Sequence, residues 1–132
     1  MRVVIDTNVL ASAIFFGGNP KKLIDYLMIG KIDAYASLEI LTEYTETVEY
    51  LKEKFSKKTP TIPLMHIEAQ FNIIDVKTHV NICRDPDDNK FIDCAIDAEC
   101  YYIVSGDKDL LSLSKYQNIN IITVSDFINL ID

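Results

Sequence analysis

Aspartates stand where apolar runs end in this sequence of 132 residues. Asp6 follows the apolar residues 3–5, Asp107 comes shortly after the apolar run 101–104, and a turn before that run carries Asp85, Asp87 and Asp88. Several carboxylates in one crevice stay ionised together only when cations join them, and oxygen ligands select hard ions such as Mg²⁺ or Mn²⁺. Such ions lower the pKa of a bound water and stabilise an in-line phosphoryl displacement. The acids therefore indicate metal-dependent phosphodiester hydrolysis, which needs no histidine, cysteine or serine nucleophile.

A fourth acid could come from a long helix predicted over residues 38–55. Glu39, Glu43 and Glu46 share one face of that helix, and composition alone does not choose among them. The aspartates also have purely structural alternatives. Asp6 and Asp107 could be helix N-caps, and residues 85–88 could form an ordinary turn. The indication of a site comes from the joint pattern of the acids.

Strand and helix patterns alternate along nearly the whole chain. The spacing predicts strands over residues 3–5, 32–36, 72–76, 101–104 and 119–123, and helices over residues 8–16, 21–29, 38–55, 64–71, 88–99, 108–113 and 126–131, with Ser37 and Ser125 as caps. This alternation is typical of a parallel sheet with helices on both faces, and the length fits one domain over residues 1–132. Because parallel strands end at one edge of the sheet, Asp6 and Asp107 should converge there.

The formal net charge of −7 restricts how the chain could handle nucleic acid. An acidic protein does not bind a polyanion through bulk electrostatics, so metal ions at the acids or a basic partner would have to compensate. Lys21, Lys22, Lys57 and Lys58, in or beside loops at residues 17–20 and 56–63, are the candidates for phosphate contact, although such lysines are more often solvated surface.

Composition also argues against several other classes of protein. No apolar run approaches the roughly 20 residues of a membrane span, and no signal peptide is recognisable, so we expect a cytoplasmic protein without a membrane segment. The three cysteines are odd in number and form no CxxC or Cys/His cluster, which argues against a disulfide framework and a zinc site.

Four motifs, taken together in this order, resemble a known family. They are DTNVL at residues 6–10, LTEY at 41–44, RDPDDNKFIDCAIDA at 84–98 and IVSGDKDLL at 103–111. The combination resembles a PIN domain, and it is most similar to the small VapC-like branch of toxin–antitoxin toxin components. The resemblance extends from residue 3 to about residue 128.

The resemblance implies a three-layer α/β/α sandwich with a central parallel sheet, and a ribonuclease that depends on Mg²⁺ or Mn²⁺. Carried over residue by residue, the metal-binding and catalytic acids are Asp6, Glu43, Asp88 and Asp107. Asp85 and Asp87 remain rivals of Asp88. The supporting residues are Thr7, Asn8 and Ser105, which orient the acids or the water, and Asp109, which could add an outer contact.

The resemblance also implies partners. Relatives commonly pair with a small antitoxin protein and form homodimers or higher oligomers, and their substrate is RNA. Whether this chain prefers RNA or DNA is open at this point.

Two other functions compete with a nuclease. The domain could be a catalytically weak PIN-like module that acts through a protein or RNA partner. A phosphatase of the haloacid type also begins with a strand followed by aspartate, but it needs a second aspartate where this chain has Asn8.

Overall fold

The computed structural model describes residues 1–58, 60 and 62–132. Its strands are β1 (Arg2–Ile5), β2 (Asp33–Ala36), β3 (Asn72–Ile73), β4 (Tyr102–Val104), β5 (Lys115–Tyr116) and β6 (Ile119–Ile122). Its α-helices are α1 (Thr7–Phe15), α2 (Gly18–Met28), α3 (Leu38–Lys54), α4 (Leu64–Glu68), α5 (Asn89–Asp97), α6 (Lys108–Leu113) and α7 (Val124–Ile131). A short 3₁₀ helix, Pro86–Asp88, leads into α5.

One sheet has the strand order β3-β2-β1-β4-β6-β5. All neighbouring strands are parallel except β5, which pairs antiparallel with β6 at the edge. The chain builds outward from β1 to β3 and then returns to place β4 on the other side of β1. The order of the strands therefore reverses between β1 and β4, and such a reversal opens a crevice at the carboxyl ends of the two strands.

The central strands are apolar on both faces. Val3, Val4 and Ile5 are completely buried, as are Ile103 and Val104 in the neighbouring strand. Successive side chains of a strand point to opposite faces, so burial of every residue requires helices on both sides of the sheet. The predicted α/β fold with a central parallel sheet is confirmed, with the addition of one antiparallel edge strand.

The extended segment 77–83 runs antiparallel to α5 and is hydrogen-bonded to side chains of that helix. The carboxylate of Asp97 accepts hydrogen bonds from the backbone N–H groups of Lys77 (2.6 Å) and Thr78 (2.9 Å). Asp93 accepts from the Val80 N–H at 2.7 Å, and Asn89 accepts from the Cys83 N–H at 3.0 Å. Residues 89, 93 and 97 lie on one face of α5, so they form a ladder that replaces a neighbouring strand. We call Asn89, Asp93 and Asp97 the α5 ladder.

The ladder explains one wrong expectation. The predicted strand 72–76 is reduced to residues 72–73, followed by one more hydrogen bond to β2 from the Ile74 N–H to the Ala36 carbonyl. The chain then joins the α5 ladder instead of continuing the sheet. The predicted helix 64–71 is likewise shorter, ending at Glu68.

The two predicted caps differ in outcome. Ser37 caps α3, as expected, by accepting from the Ile40 N–H at 3.2 Å. Helix α7 begins earlier than expected, and Thr123 rather than Ser125 caps it by accepting from the Asp126 N–H. Thr59 and Thr61, in the predicted loop 56–63, lie outside the described residues. Within the described part of the chain, no helix is long and apolar enough to span a membrane.

Candidate functional site

A pocket of about 320 Å³ lies at the carboxyl ends of β1 and β4, where the strand order reverses. The residues that line it are predominantly acids: Asp6, Thr7, Asn8, Glu43, Thr47, Asp85, Asp87, Asp88 and Asp107. We call it the acid pocket. The structure thus brings together the four acids that the family resemblance implies, along with both rivals of Asp88.

Asp6 is buried and holds its position through the neighbouring strand. Its backbone N–H donates to the Val104 carbonyl at 3.0 Å, and its carboxylate accepts from the Ser105 hydroxyl at 2.6 Å. Although Asp6 occupies the N-cap position of α1, its side chain makes no capping hydrogen bond, so the N-cap alternative does not account for it. Burial raises its pKa, the charges of Asp107 and Glu43 add to the rise, and the Ser105 hydrogen bond opposes it.

Asp107 caps a helix and also lines the acid pocket. Its carboxylate accepts from the Asp109 N–H at 3.2 Å and so caps α6, as the structural alternative predicted. Its own N–H donates to the Ser105 hydroxyl oxygen at 3.0 Å, which links it to Asp6 through one serine. Asp109 does not line the acid pocket and instead pairs with Arg84 at 3.3 Å.

The acidic turn separates Asp88 from its rivals. Asp85 accepts from the Asp87 N–H at 3.0 Å, which is the ordinary turn interaction, and the 68% exposed Asp87 side chain pairs with Lys90 at 3.0 Å. Asp88 Oδ2 is buried and has no hydrogen-bond partner among the described residues. Burial, followed by the adjoining Asp107 carboxylate and the charge of Asp6, raises the pKa of Asp88 to about 7. Asp88 is therefore the acid of this turn whose carboxylate is left to bind something else.

Glu43 reaches the pocket because the following residue anchors α3 beneath it. The Tyr44 side chain is completely buried, and its hydroxyl donates to the carbonyl of Ile5, the last residue of β1. The Glu43 carboxylate accepts from the Thr7 hydroxyl and pairs with Lys90 Nζ at 2.7 Å. Thr7 thus lies beside an acid and donates a hydrogen bond to it. Asn8 lines the pocket and is exposed.

Sequence reasoning missed two residues at the site, Thr47, which lines the pocket, and Lys90, which pairs with Glu43. The Lys90 side chain is only 7% exposed, and its ammonium bridges Glu43 and Asp87. Burial alone would lower the pKa of Lys90, but the two carboxylates raise it, so the group is a fixed positive charge beside Glu43. The available signal was its spacing of three residues after Asp87, which places the two side chains on one helical face.

The chemistry of the donors fits a hard divalent cation. All the candidate ligands are carboxylate oxygens, and the buried Asp88 Oδ2 is an acceptor without a donor among the described residues. Within the described residues, no three His, Cys, Asp or Glu side chains are arranged so that together they could hold a metal ion. Mg²⁺ usually keeps several waters and binds proteins through one or two carboxylates, so a complete cage is not needed.

Comparisons with known proteins agree with this arrangement. A family model described as PIN domain matches residues 2–109, a range that contains all four candidate acids. An uncharacterized protein of Methanocaldococcus jannaschii is 37% identical over 127 residues, and the alignment covers 91% of this chain and 81% of the relative. PIN domains are generally metal-dependent nucleases. The relative has no assigned activity, so neither match bears on the VapC-like branch. Together, the fold, the pocket and the matched range show that the chain belongs to the PIN domain family.

Proposed function

We propose that the protein is an endoribonuclease dependent on Mg²⁺ or Mn²⁺, with residues 1–132 forming one nuclease domain. The observation that carries this proposal is the acid pocket, in which Asp6, Glu43, Asp88 and Asp107 meet at the reversal of the strand order. The raised pKa values of Asp6 and Asp88 support it, because carboxylates with such shifts in a cleft are typical of functional sites.

Asp6, Asp88 and Asp107 are the candidate ligands we assign, with Glu43 at the border of the site; one or two of them would bind the cation directly and the others through its coordinated waters. When bound there, Mg²⁺ or Mn²⁺ would lower the pKa of a coordinated water and stabilise the phosphoryl displacement. Ser105 orients Asp6 by donating to one of its oxygens. Thr7 and Lys90 fix the Glu43 carboxylate, so less side-chain freedom is lost when substrate binds.

The proposal is tested by incubating the protein with a labelled single-stranded RNA in Mg²⁺, in Mn²⁺ and in EDTA, and with DNA of the same sequence. We expect RNA cleavage that requires the divalent cation and is lost in Asp6→Asn. Asp33→Asn is the matched control, since Asp33 is exposed and lies at the opposite end of the sheet, at the start of β2. Full activity of Asp6→Asn, or cleavage in EDTA, would contradict the assignment.

We further propose that the nuclease is the toxin of a toxin–antitoxin pair, with a small antitoxin as partner and a homodimer or higher oligomer as its working form. Support comes from the resemblance of the motifs DTNVL and RDPDDNKF to the VapC-like branch. Expression of the wild-type chain alone should arrest growth of a bacterial host, and expression of Asp6→Asn should not. Equal growth in the two cultures would contradict the toxin role.

A catalytically weak binding module is the second candidate. The observation that favours it is the engagement of Glu43 by Lys90 and Thr7, which leaves fewer free carboxylates for a cation. Isothermal titration with Mn²⁺ separates the two functions. Binding in the micromolar to millimolar range that Asp88→Asn weakens supports the nuclease, and the absence of binding supports the module.

A further inference from the structure

A row of non-buried residues on α1 leads away from the acid pocket. In this helix only Asn8 and Ser12 escape burial, and the next residue on the same face, Phe16, directly follows the helix and is 53% exposed. Residues 8, 12 and 16 follow the four-residue spacing that places side chains on one helical face. The row begins with a residue of the pocket and ends, about 12 Å away at 1.5 Å per residue, with an exposed aromatic ring.

A second row lies on α3. Glu43 and Thr47 line the acid pocket, and Tyr50 and Lys54 continue the same face at spacings of three and four residues. The Tyr50 side chain is 61% exposed, and Lys54 Nζ lies 5.9 Å from the centre of its ring. This row also runs from the pocket to an aromatic ring and a positive charge.

Contacts at both ends hold the two rows side by side. Near the pocket, the Thr7 hydroxyl of α1 donates to Glu43 of α3. At the far end, the rings of Phe16 and Phe55 meet edge to face with centroids 5.3 Å apart. Lys58 Nζ lies 4.6 Å from the centre of the Phe16 ring and closes this end. We call Ser12, Phe16, Thr47, Tyr50, Lys54 and Lys58 the α1–α3 strip.

The two charged residues of the strip are lysines, whereas the protein as a whole is acidic and exposed Glu46 and Glu53 flank Tyr50 on α3. The chain has 13 Lys and Arg residues and a net charge of −7. Eight of these cations pair with carboxylates, and among the described residues Lys54, Lys57, Lys58, Lys108 and Lys115 pair with none. Three of the five unpaired lysines therefore gather at the far end of the strip. These lysines are exposed and available to phosphates.

We propose that the α1–α3 strip binds a single strand of nucleic acid and leads it into the acid pocket. This inference rests on the proposed nuclease function and names the form of its substrate. Bases would stack on Tyr50 and Phe16, and phosphates would contact Lys54 and Lys58. A length of about 12 Å accommodates about four nucleotides at ~3.4 Å per stacked nucleotide.

The side chains of the strip favour a single strand over a duplex. Exposed rings beside lysines form the stacking platform and basic track by which proteins hold single strands, and stacking requires bases that are not already paired. A duplex offers only its backbone to such a surface.

Fluorescence anisotropy with a labelled oligouridylate measures binding to the strip. EDTA in the buffer removes divalent cations, so the oligonucleotide is not cleaved during the measurement. Tyr50→Ala and Phe16→Ala should each weaken binding about tenfold. Lys54→Gln and Lys58→Gln should each reduce the slope of log K against log salt by about 0.7. Tyr101→Ala is the matched aromatic control, because Tyr101 is 60% exposed and precedes β4 at the other end of the sheet. Lys115→Gln is the matched control for an unpaired lysine, and both controls should bind as the wild type does.

Three outcomes would overturn the strip. The first is unchanged binding by Tyr50→Ala and by the lysine variants, which lie at exposed positions where folding is not in question. The second is equal affinity for the single strand and a blunt duplex of the same sequence. The third is a Tyr50→Ala variant that binds nucleic acid as the wild type does but elutes as a monomer in size-exclusion chromatography where the wild type elutes as an oligomer. That result would show that the strip is a protein interface.

The binding assay also separates the strip from the nuclease proposal. Loss of binding in the strip variants of a protein that cleaves nothing would support the strip and contradict the nuclease. Normal binding and cleavage by all strip variants would support the nuclease and overturn the strip.

Discussion

Two clusters of acidic and amide side chains, the α5 ladder and the acid pocket, differ in the groups that surround them. The α5 ladder of Asn89, Asp93 and Asp97 accepts backbone N–H groups of the segment 77–83. In the acid pocket, Asp88 has a buried oxygen without a donor, and its pKa is raised to about 7. In Asp97, hydrogen bonds from Thr78 and Lys77 overcome the effect of burial and lower the pKa. Asp93 of the same ladder has a raised pKa, because the effect of burial exceeds that of the Val80 hydrogen bond. Backbone N–H donors thus favour the charged carboxylate, whereas burial and neighbouring carboxylates disfavour it.

Substitution in the acid pocket should affect activity far more than stability. Asp6→Asn keeps the size of the side chain but removes the charge, so cleavage should fall about a thousandfold, equivalent to ~4 kcal/mol of activation free energy. The melting temperature without metal should not fall, because the buried charge it removes is unfavourable. Single-turnover cleavage and thermal unfolding measure the two effects. An Asp6→Asn variant that does not fold would show that Asp6 is needed for stability, as the acids of the α5 ladder are.

Lys90 connects the two groups, since it follows Asn89 in the chain and its ammonium pairs with Glu43 of the acid pocket. Lys90→Met should lower the free energy of unfolding by about 3 kcal/mol without metal, because it leaves the Glu43 carboxylate without its partner. Addition of Mg²⁺ should recover part of the loss. Lys22→Met is the control: it breaks an ion pair with Asp132 whose side chains are 46% and 40% exposed, and it should cost less than about 1 kcal/mol. Equal losses for the two lysines in chemical denaturation would show that Lys90 has no special position.

Substitution in the α5 ladder should affect stability and leave the chemistry intact. Asp93→Ala leaves the Val80 N–H without its acceptor and should cost about 2 kcal/mol of unfolding free energy. Asp93→Asn retains an acceptor oxygen and should cost less. Both variants should cleave RNA at the wild-type rate below their melting temperatures. A large loss of activity in Asp93→Asn would mean that the ladder takes part in catalysis.

The smallest expected effect is the pH dependence of stability without metal. The folded-state pKa of Asp88, about 7, lies above its usual value of 3.8, so its contribution is full below about pH 4 and is lost as the pH rises through 7. The pKa of Asp97 is lowered, so its contribution is present above about pH 4 and is lost as the pH falls. Between pH 5 and 8 the melting temperature should therefore fall by a few degrees, and Asp88→Asn or added Mg²⁺ should flatten the decline. If the melting temperature of the wild type and of Asp88→Asn fell equally with pH, the dependence would come from another group.

The sequence predicts the scaffold well because its signals are local. Apolar runs followed by aspartate locate β1 and β4. The alternation of strands and helices predicts the parallel sheet that brings Asp6 and Asp107 to one pocket. Ser37 is recognisable as a cap for the same reason, since its hydrogen bond spans only three residues. Glu43, by contrast, came from the family resemblance. Its placement depends on the neighbouring Tyr44 and on a carbonyl 39 residues away, which no local pattern contains.

What the sequence did not reveal depends on long-range partners. Asn89, Asp93 and Asp97 look like the solvated face of a helix, and nothing local indicates that the segment 77–83 covers them. Lys90 looks like a surface lysine until Glu43 is placed beside it. Strand β5 has only two residues and exists because it folds back on β6.

The pairing of β1 with β4 has a consequence for synthesis of the chain. Asp6 precedes Ser105, which orients it, by 99 positions, so the acid is synthesised well before the serine. A chain whose synthesis stops before β4 therefore contains the first acid but has neither the strand that positions it nor Asp107. The pocket is therefore completed only after β4 and Asp107 have been made, and a product that ends before β4 lacks part of the set of acids.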